Sequence, residues 1–214
     1  MVYIDSTQPS ALAASAALAA SDENVSIQHP SRKNIILLGP SRSGKSSWIN
    51  KLAGTPITGV HTPTTTHIIY PVNITSYIGH KYNFHLCDTP GDTSFDKSSN
   101  DRYLGAHGFI FFFDLQLNDS KNKLICWTQV PKLMSFLKTH TKLIGTNLPR
   151  VIFVANKYDL IEGDEIKMIE FMVAELINEI IEKGPNFGII NFSVITMSVK
   201  NDSLEKLLEP LLLL

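Results

Sequence analysis

The stretch Gly39-Pro40-Ser41-Arg42-Ser43-Gly44-Lys45-Ser46 constrains this chain more than any other. It reads G-x-x-x-x-G-K-S, follows the apolar run Ile35-Ile36-Leu37-Leu38, and opens a helical segment from Ser47 to Leu52 that Gly54 stops. A phosphate needs several backbone N–H groups converging on it, and a glycine-supported loop running into a helix N-terminus lets the backbone approach that closely. Strand, loop and helix are thus in the order the motif requires. The Lys45 ammonium is placed to reach β- and γ-phosphates, and the Ser46 hydroxyl to be a ligand of Mg²⁺. The expected cradle is Gly39, Ser41, Arg42, Ser43, Gly44, Lys45, Ser46 and Ser47. A chance match in a Ser- and Gly-rich surface turn would not usually sit between a buried strand and a helix.

Strand and helix signals alternate from Lys33 onward, the pattern of an open, mostly parallel α/β sheet. Ile68, Tyr70, Val72 and Ile74 alternate with Ile69, Pro71 and Asn73, and Pro71 cannot donate to a ladder, so this strand belongs at a sheet edge. Gly79-His80 fits a hairpin turn, and Tyr82, Phe84 and Leu86 alternate back toward Asp88, making these two strands antiparallel. The runs Phe109 to Phe113 and Val151 to Ala155 are apolar on both faces, as central parallel strands are. Between them, Leu124 to Leu143 holds helical material interrupted at Pro131. Ile166, Ile169, Val173, Ile177 and Ile180 recur at helical steps and predict an amphipathic helix that Gly184-Pro185 ends. Ile189 to Met197 reads as the last strand, and Ser203 to Leu214 as a last helix broken by Pro210 and finishing against the core.

A chain of 214 residues with 43% hydrophobic and 18% charged residues can bury a sizeable core. Its net charge of −1 gives no basic field for nucleic acid. Cys87 and Cys126 provide no disulfide framework, so a reducing compartment is expected. Residues 1–31 form an Ala- and Ser-rich segment without Lys or Arg, read as a flexible arm. Val2 and the leucine run Leu211 to Leu214 carry neither the myristoylation nor the prenylation signal, so no direct lipid anchor is expected.

A phosphate loop alone leaves kinases, ATPases and GTPases open, and the discriminating residues lie at the ends of later strands. Asp88-Thr89-Pro90-Gly91 offers a carboxylate that can hold Mg²⁺ through water and a Gly91 N–H that can meet a γ-phosphate. In Asn156-Lys157-Tyr158-Asp159, the Asp159 carboxylate can accept from both N1–H and the 2-amino group of guanine, a pair that adenine lacks. Ser198-Val199-Lys200, after the final strand, is placed to close over the same base.

On these residues the chain resembles a small GTPase of the Ras superfamily, most similar to the Rab branch. Thr64 lies nineteen residues beyond Lys45 (64 − 45 = 19), the separation of the switch I threonine in Rab-like proteins. Asp88 to Gly108 aligns without a gap on the Rab stretch D-T-A-G-Q-E-R-F through Y-R-G-A-H-G, with Phe95, Tyr103 and Gly105-Ala106-His107-Gly108 matching. The fit extends through Asp114, Trp127 and Asn156-Lys157-Tyr158-Asp159-Leu160, and covers roughly Lys33 to Leu208.

The resemblance implies a small GTPase-like domain over residues 32–214, built on a six-stranded, mostly parallel sheet with one antiparallel edge strand and flanking helices. It implies GTP or GDP with Mg²⁺ as ligands, and Thr64 joining Ser46 on the metal only when the γ-phosphate is present, with Thr65 in reserve. Thr55 to Thr66 and Gly91 to Asn100 become the switch segments. Lys45, Thr64, Gly91 and Asp92 become the catalytic set. Effectors, an exchange factor and a GTPase-activating protein become the partners of a cytoplasmic monomer, recruited to membranes through those partners, in vesicle trafficking or signalling.

Four positions depart from that family pattern. Asp92 replaces the glutamine that orients the attacking water; a carboxylate repels the γ-phosphate and cannot donate to it, so slow intrinsic hydrolysis is expected. Arg42 stands where a glycine or small residue is usual, either pointing to solvent or acting as an arginine finger in cis. Ile57 stands about where an aromatic stacks on guanine, and Cys87 where Rab proteins carry tryptophan. Asp92 and Ile57 together leave an alternative, a guanine-nucleotide-binding scaffold that turns over little and acts through occupancy.

Overall fold

The computed structural model describes residues 3–4, 32–57, 62–75, 80–91, 103, 105–115, 131–133, 135, 150–161, 171, 175, 178 and 192–214. Strand alternation sets the architecture. In β2 (Arg32–Leu38), Ile35 and Leu37 join one buried cluster and Ile36 and Leu38 the other. β5 (Gly108–Asp114) and β6 (Arg150–Asn156) divide in the same way, with Phe109, Phe111, Val151 and Phe153 on one face and Ile110, Phe112, Ile152 and Val154 on the other. Strands buried on both faces are what a parallel sheet covered on both sides requires.

With β3 (Ile68–Thr75), β4 (Lys81–Asp88) and β7 (Phe192–Met197), these strands form the expected six-stranded sheet, ordered β3-β4-β2-β5-β6-β7. All neighbours pair parallel except β3 with β4, which run antiparallel from Ile68↔Asp88 to Thr75↔Lys81. A two-residue strand, β1 (Tyr3–Ile4), adds a seventh member by pairing with Ile74 and Thr75. Its pairing stops short of Pro71, whose missing N–H is therefore harmless on that edge. Gly79 and the rest of the hairpin turn lie outside the described residues.

One face is covered by α1 (Lys45–Leu52) and α2 (Leu204–Leu212), which bury Trp48, Ile49, Leu52, Leu207, Leu208 and Leu211. The Trp48 indole N–H donates to the Leu207 carbonyl at 2.8 Å and ties the two helices together. Pro210 does not break α2, as its propensity predicts; it lies inside the helix and is itself buried. Apolar packing beside Leu207 and Leu211 outweighs the lost N–H there. The Arg150 guanidinium donates to the Leu213 carbonyl at 2.7 Å, and Leu214 packs so tightly on Gly108 that a Cβ there would lie 2.6 Å from its Cδ2.

Leu133 covers the opposite face. The amphipathic stripe predicted over 166–180 lies outside the described residues, but Phe171, Glu175 and Asn178, spaced four and three apart, are helical and exposed. No helix among the described residues is long and apolar enough to cross a membrane.

Candidate functional site

Open parallel sheets bind ligands beyond the carboxyl ends of their strands, where connections leave toward opposite faces. Here β2 ends at Leu38 before Gly39, β4 at Asp88, β5 at Asp114 and β6 at Asn156, and β7 ends one residue before Ser198. Segments that follow β2, β4, β6 and β7 line a cavity of about 620 Å³.

The loop after β2 is built by left-handed backbone. Gly39 has φ +125, and a Cβ on it would lie 2.0 Å from the Phe112 carbonyl oxygen, so only glycine lets the loop leave the sheet there. Gly44, at φ +104, precedes α1 without any side-chain cap, and a Cβ on it would lie 2.1 Å from the Asn156 amide nitrogen. The first-turn N–H groups of α1 are therefore open to an acceptor from the cavity. Lys45 is buried, and its ammonium donates to the carbonyls of Gly39 at 2.7 Å and Pro40 at 3.0 Å, which curls its long stem back over the loop. Ser43 is fully buried and is not among the residues that line the cavity, which Ser41, Arg42, Gly44, Lys45, Ser46 and Ser47 do.

Three oxygen-bearing side chains meet beside this loop. The Ser46 hydroxyl donates to Asp88 Oδ2 at 2.5 Å and lies 3.0 Å from the Thr64 hydroxyl, which itself donates to the same carboxylate oxygen at 3.2 Å. Asp88 is 1% exposed, and its other oxygen, Oδ1, is buried without a hydrogen-bond partner among the described residues. An orphaned carboxylate oxygen beside two hydroxyls is a hard, oxygen-only donor set, and it fits Mg²⁺. Thr65, the reserve position, is exposed. Gly91 packs against the loop so closely that a Cβ would lie 2.1 Å from the Ser41 nitrogen. Thr89, part of the Asp88-Thr89-Pro90-Gly91 motif but given no role by the sequence, donates to the Leu37 carbonyl at 2.6 Å. Asp92 lies outside the described residues.

The other end of the cavity is assembled by Asn156. Its amide nitrogen donates to the Ser43 carbonyl at 2.8 Å, and its oxygen accepts from the Val199 N–H at 3.1 Å. Lys157, in left-handed backbone at φ 68, makes an ion pair with Asp114 at 2.5 Å across the ends of β5 and β6. Asp159, Val199 and Lys200 line the cavity, as does Ile57, which is 43% exposed. Ser198 is buried behind them; its N–H donates to Asp202 Oδ2 at 2.8 Å and its hydroxyl accepts from the Asn201 N–H at 3.1 Å. The Tyr158 phenol donates to Asp202 Oδ1 at 2.5 Å. That bond, aided by burial and by the charges of Asp202 and Asp159, pushes the Tyr158 pKa up to about 12. Asp202 and Lys51, which touches the same loop, were invisible to motif reading because neither belongs to a recurring pattern.

The model of the Ras family matches residues 34–181 of this chain. Among curated proteins, the chain is similar to the GTP-binding nuclear protein GSP1 of Encephalitozoon cuniculi, at 25% identity over 162 residues, 76% of this chain and 68% of that protein. It is also similar to the GTP-binding protein ypt1 of Schizosaccharomyces pombe, at 25% over 141 residues, 66% of this chain and 63% of that protein. Ras-related protein Rab-1C of Dictyostelium discoideum is 28% identical over 93 residues, 44% of this chain and 46% of its own length.

Proposed function

The chain belongs to the Ras family and is thus a GTP-binding switch of the GTPase class, and from that premise we propose that it works with Mg²⁺, hydrolyses GTP slowly by itself, and depends on partners to change state. The observation that carries this reading is the joining of both ends of one cavity: Ser46, Thr64 and Asp88 converge at the phosphate end, while Asn156 bonds the phosphate loop to the loop carrying Val199.

In this reading Gly39, Ser41, Arg42, Ser43, Gly44, Ser46 and Ser47 shape or donate the amides that cradle the phosphates, with Lys45 neutralising their charge. Ser46, Thr64 and Asp88 hold the metal, which when bound offsets charge on the transferred phosphoryl group. The Gly91 N–H meets the terminal phosphate, and its tight seating on Ser41 couples that contact to the loop. Asp159 reads guanine, Asn156 and Lys157 hold Asp159 and the loop in place, and Ser198, Val199 and Lys200 cover the base. Attack on the phosphorus is by water, which Asp92 cannot both position and tolerate beside a polyanion. Exchange factors and activating proteins then set the timing, and effectors read the GTP state, in vesicle trafficking or signalling from a cytoplasmic monomer.

Single-turnover phosphate release on the purified protein, with and without Mg²⁺, tests the chemistry. Slow, Mg²⁺-dependent release that Asp92→Gln accelerates at least about tenfold supports the reading. Equal rates in the two proteins remove Asp92 as the cause, and no release under any condition points instead to a scaffold acting by occupancy, which the aliphatic Ile57 at the cavity rim favours.

A further inference from the structure

Lys51 sits in the last turn of α1, outside every motif, yet its ammonium is fully engaged. Its three N–H donors go to the carbonyls of Val199 at 2.8 Å, Lys200 at 2.9 Å and Asp202 at 2.9 Å. An ammonium has three donors and no more, so this loop saturates it. The loop's own geometry explains the demand. The N–H groups of Asn201 and Asp202 both turn inward to the Ser198 carbonyl, at 3.2 Å and 2.9 Å, and Ser198 N–H is taken by the Asp202 side chain. With its donors folded inward, the turn aims three carbonyl dipoles at one point, an arrangement that repels itself unless a cation stands there.

We propose that Lys51 is a positioning residue for nucleotide retention: its ammonium holds loop 198–202 in the shape that keeps Val199 and Lys200 against the base, and so sets how slowly nucleotide leaves. The same loop is gripped from its other side by Tyr158 through Asp202 Oδ1. Because Lys51 shares α1 with Lys45 and Ser46, the helix that begins at the phosphates also fixes the loop over the base. Loosening the loop therefore frees the base first and reaches the phosphate end only through Asn156. The inference rests on the guanine-nucleotide reading of the cavity.

The test compares wild type, Lys51→Met and Lys51→Arg for release of fluorescent GDP and for preference of GDP over IDP, which lacks the 2-amino group. Lys51→Met is expected to release GDP about tenfold faster, the weight of one charge-assisted hydrogen bond, and to lose part of the preference for GDP. Lys51→Arg, which keeps the charge and its donors, is expected to restore most of both. Lys206→Met, which cuts only an α2 surface ion pair with Glu209, serves as the control that leaves both unchanged. A Lys51→Met protein that keeps the wild-type release rate or the wild-type preference, whatever its melting temperature, overturns the proposal. Should Lys51→Met not fold, Tyr158→Phe is read in its place, with faster release expected and an unchanged rate decisive against. A wild type that retains no GDP refutes the guanine reading itself, a result distinct from normal retention with an indifferent Lys51.

Discussion

Asn156 donates to the Ser43 carbonyl across 2.8 Å while accepting from the Val199 N–H at 3.1 Å, so one buried side chain spans the two loops at opposite ends of the cavity. Removing Asn156 costs both partners their hydrogen bond. Asn156→Ala is therefore expected to lower stability by about 1–3 kcal/mol, the penalty of stranding a buried polar group, and to speed GDP release. Urea unfolding and fluorescent-nucleotide dissociation measure the two effects. An unfolding midpoint equal to that of wild type would show that the loops hold their positions without the bridge.

Thr64 and Thr65 differ in environment although they are neighbours. The Thr64 hydroxyl lies 3.0 Å from Ser46 Oγ and 3.2 Å from Asp88 Oδ2, whereas Thr65 is exposed. Thr64→Ala is expected to slow Mg²⁺-dependent single-turnover hydrolysis at least about tenfold, and Thr65→Ala to stay within about twofold of wild type. The reverse ranking in phosphate-release traces would move the switch threonine by one position.

Most of the fold was legible because its signals are local. Phe109 to Phe113 and Val151 to Ala155 could only be strands buried on both faces, and the G-x-x-x-x-G-K-S stretch needed the strand before it and the helix after it. The positions of the Gly39–Ser46 loop, Asp88 and Asn156 could be read for the same reason, each lying at or just beyond a strand end. Pro210 misled because propensity counts a lost N–H and cannot count the burial of its ring beside Leu207 and Leu211. Lys51 and Asp202 were missed because their role arises from a contact across 151 residues of sequence, which no spacing rule records. The pairing of Tyr3–Ile4 with β3 was hidden in a segment whose composition reads as an arm.

Arg42 adopts φ 66, a left-handed conformation that costs an L-residue about 1–2 kcal/mol. Glycine takes that shape without strain but gives back about 0.5–1 kcal/mol in the unfolded chain's entropy. Arg42→Gly is thus expected to stabilise the protein by roughly 0.5–1 kcal/mol, a rise of about 1–4 °C in Tm for a chain of this size. Differential scanning calorimetry measures it. A lower Tm would mean that the exposed Arg42 side chain makes contacts worth more than the strain.

Tyr158 gives the site a measurable alkaline signature. The bond to Asp202, with burial and two neighbouring carboxylates, favours the protonated phenol and pushes its pKa up to about 12. The unfolded chain releases that proton near the ordinary tyrosine value of about 10. Folding therefore binds the proton more tightly, so the stabilisation is fully present below pH 10 and is lost as pH rises from there through about 12. The stability advantage of wild type over Tyr158→Phe is expected to be level from pH 7 to about 9.5 and to shrink above pH 10. In the folded protein, Tyr158→Phe is also expected to delete a component near 12 from the phenolate absorbance titration. A wild-type titration with no component near 12, or an advantage that falls already between pH 7 and 9, would place the phenol away from Asp202 in solution.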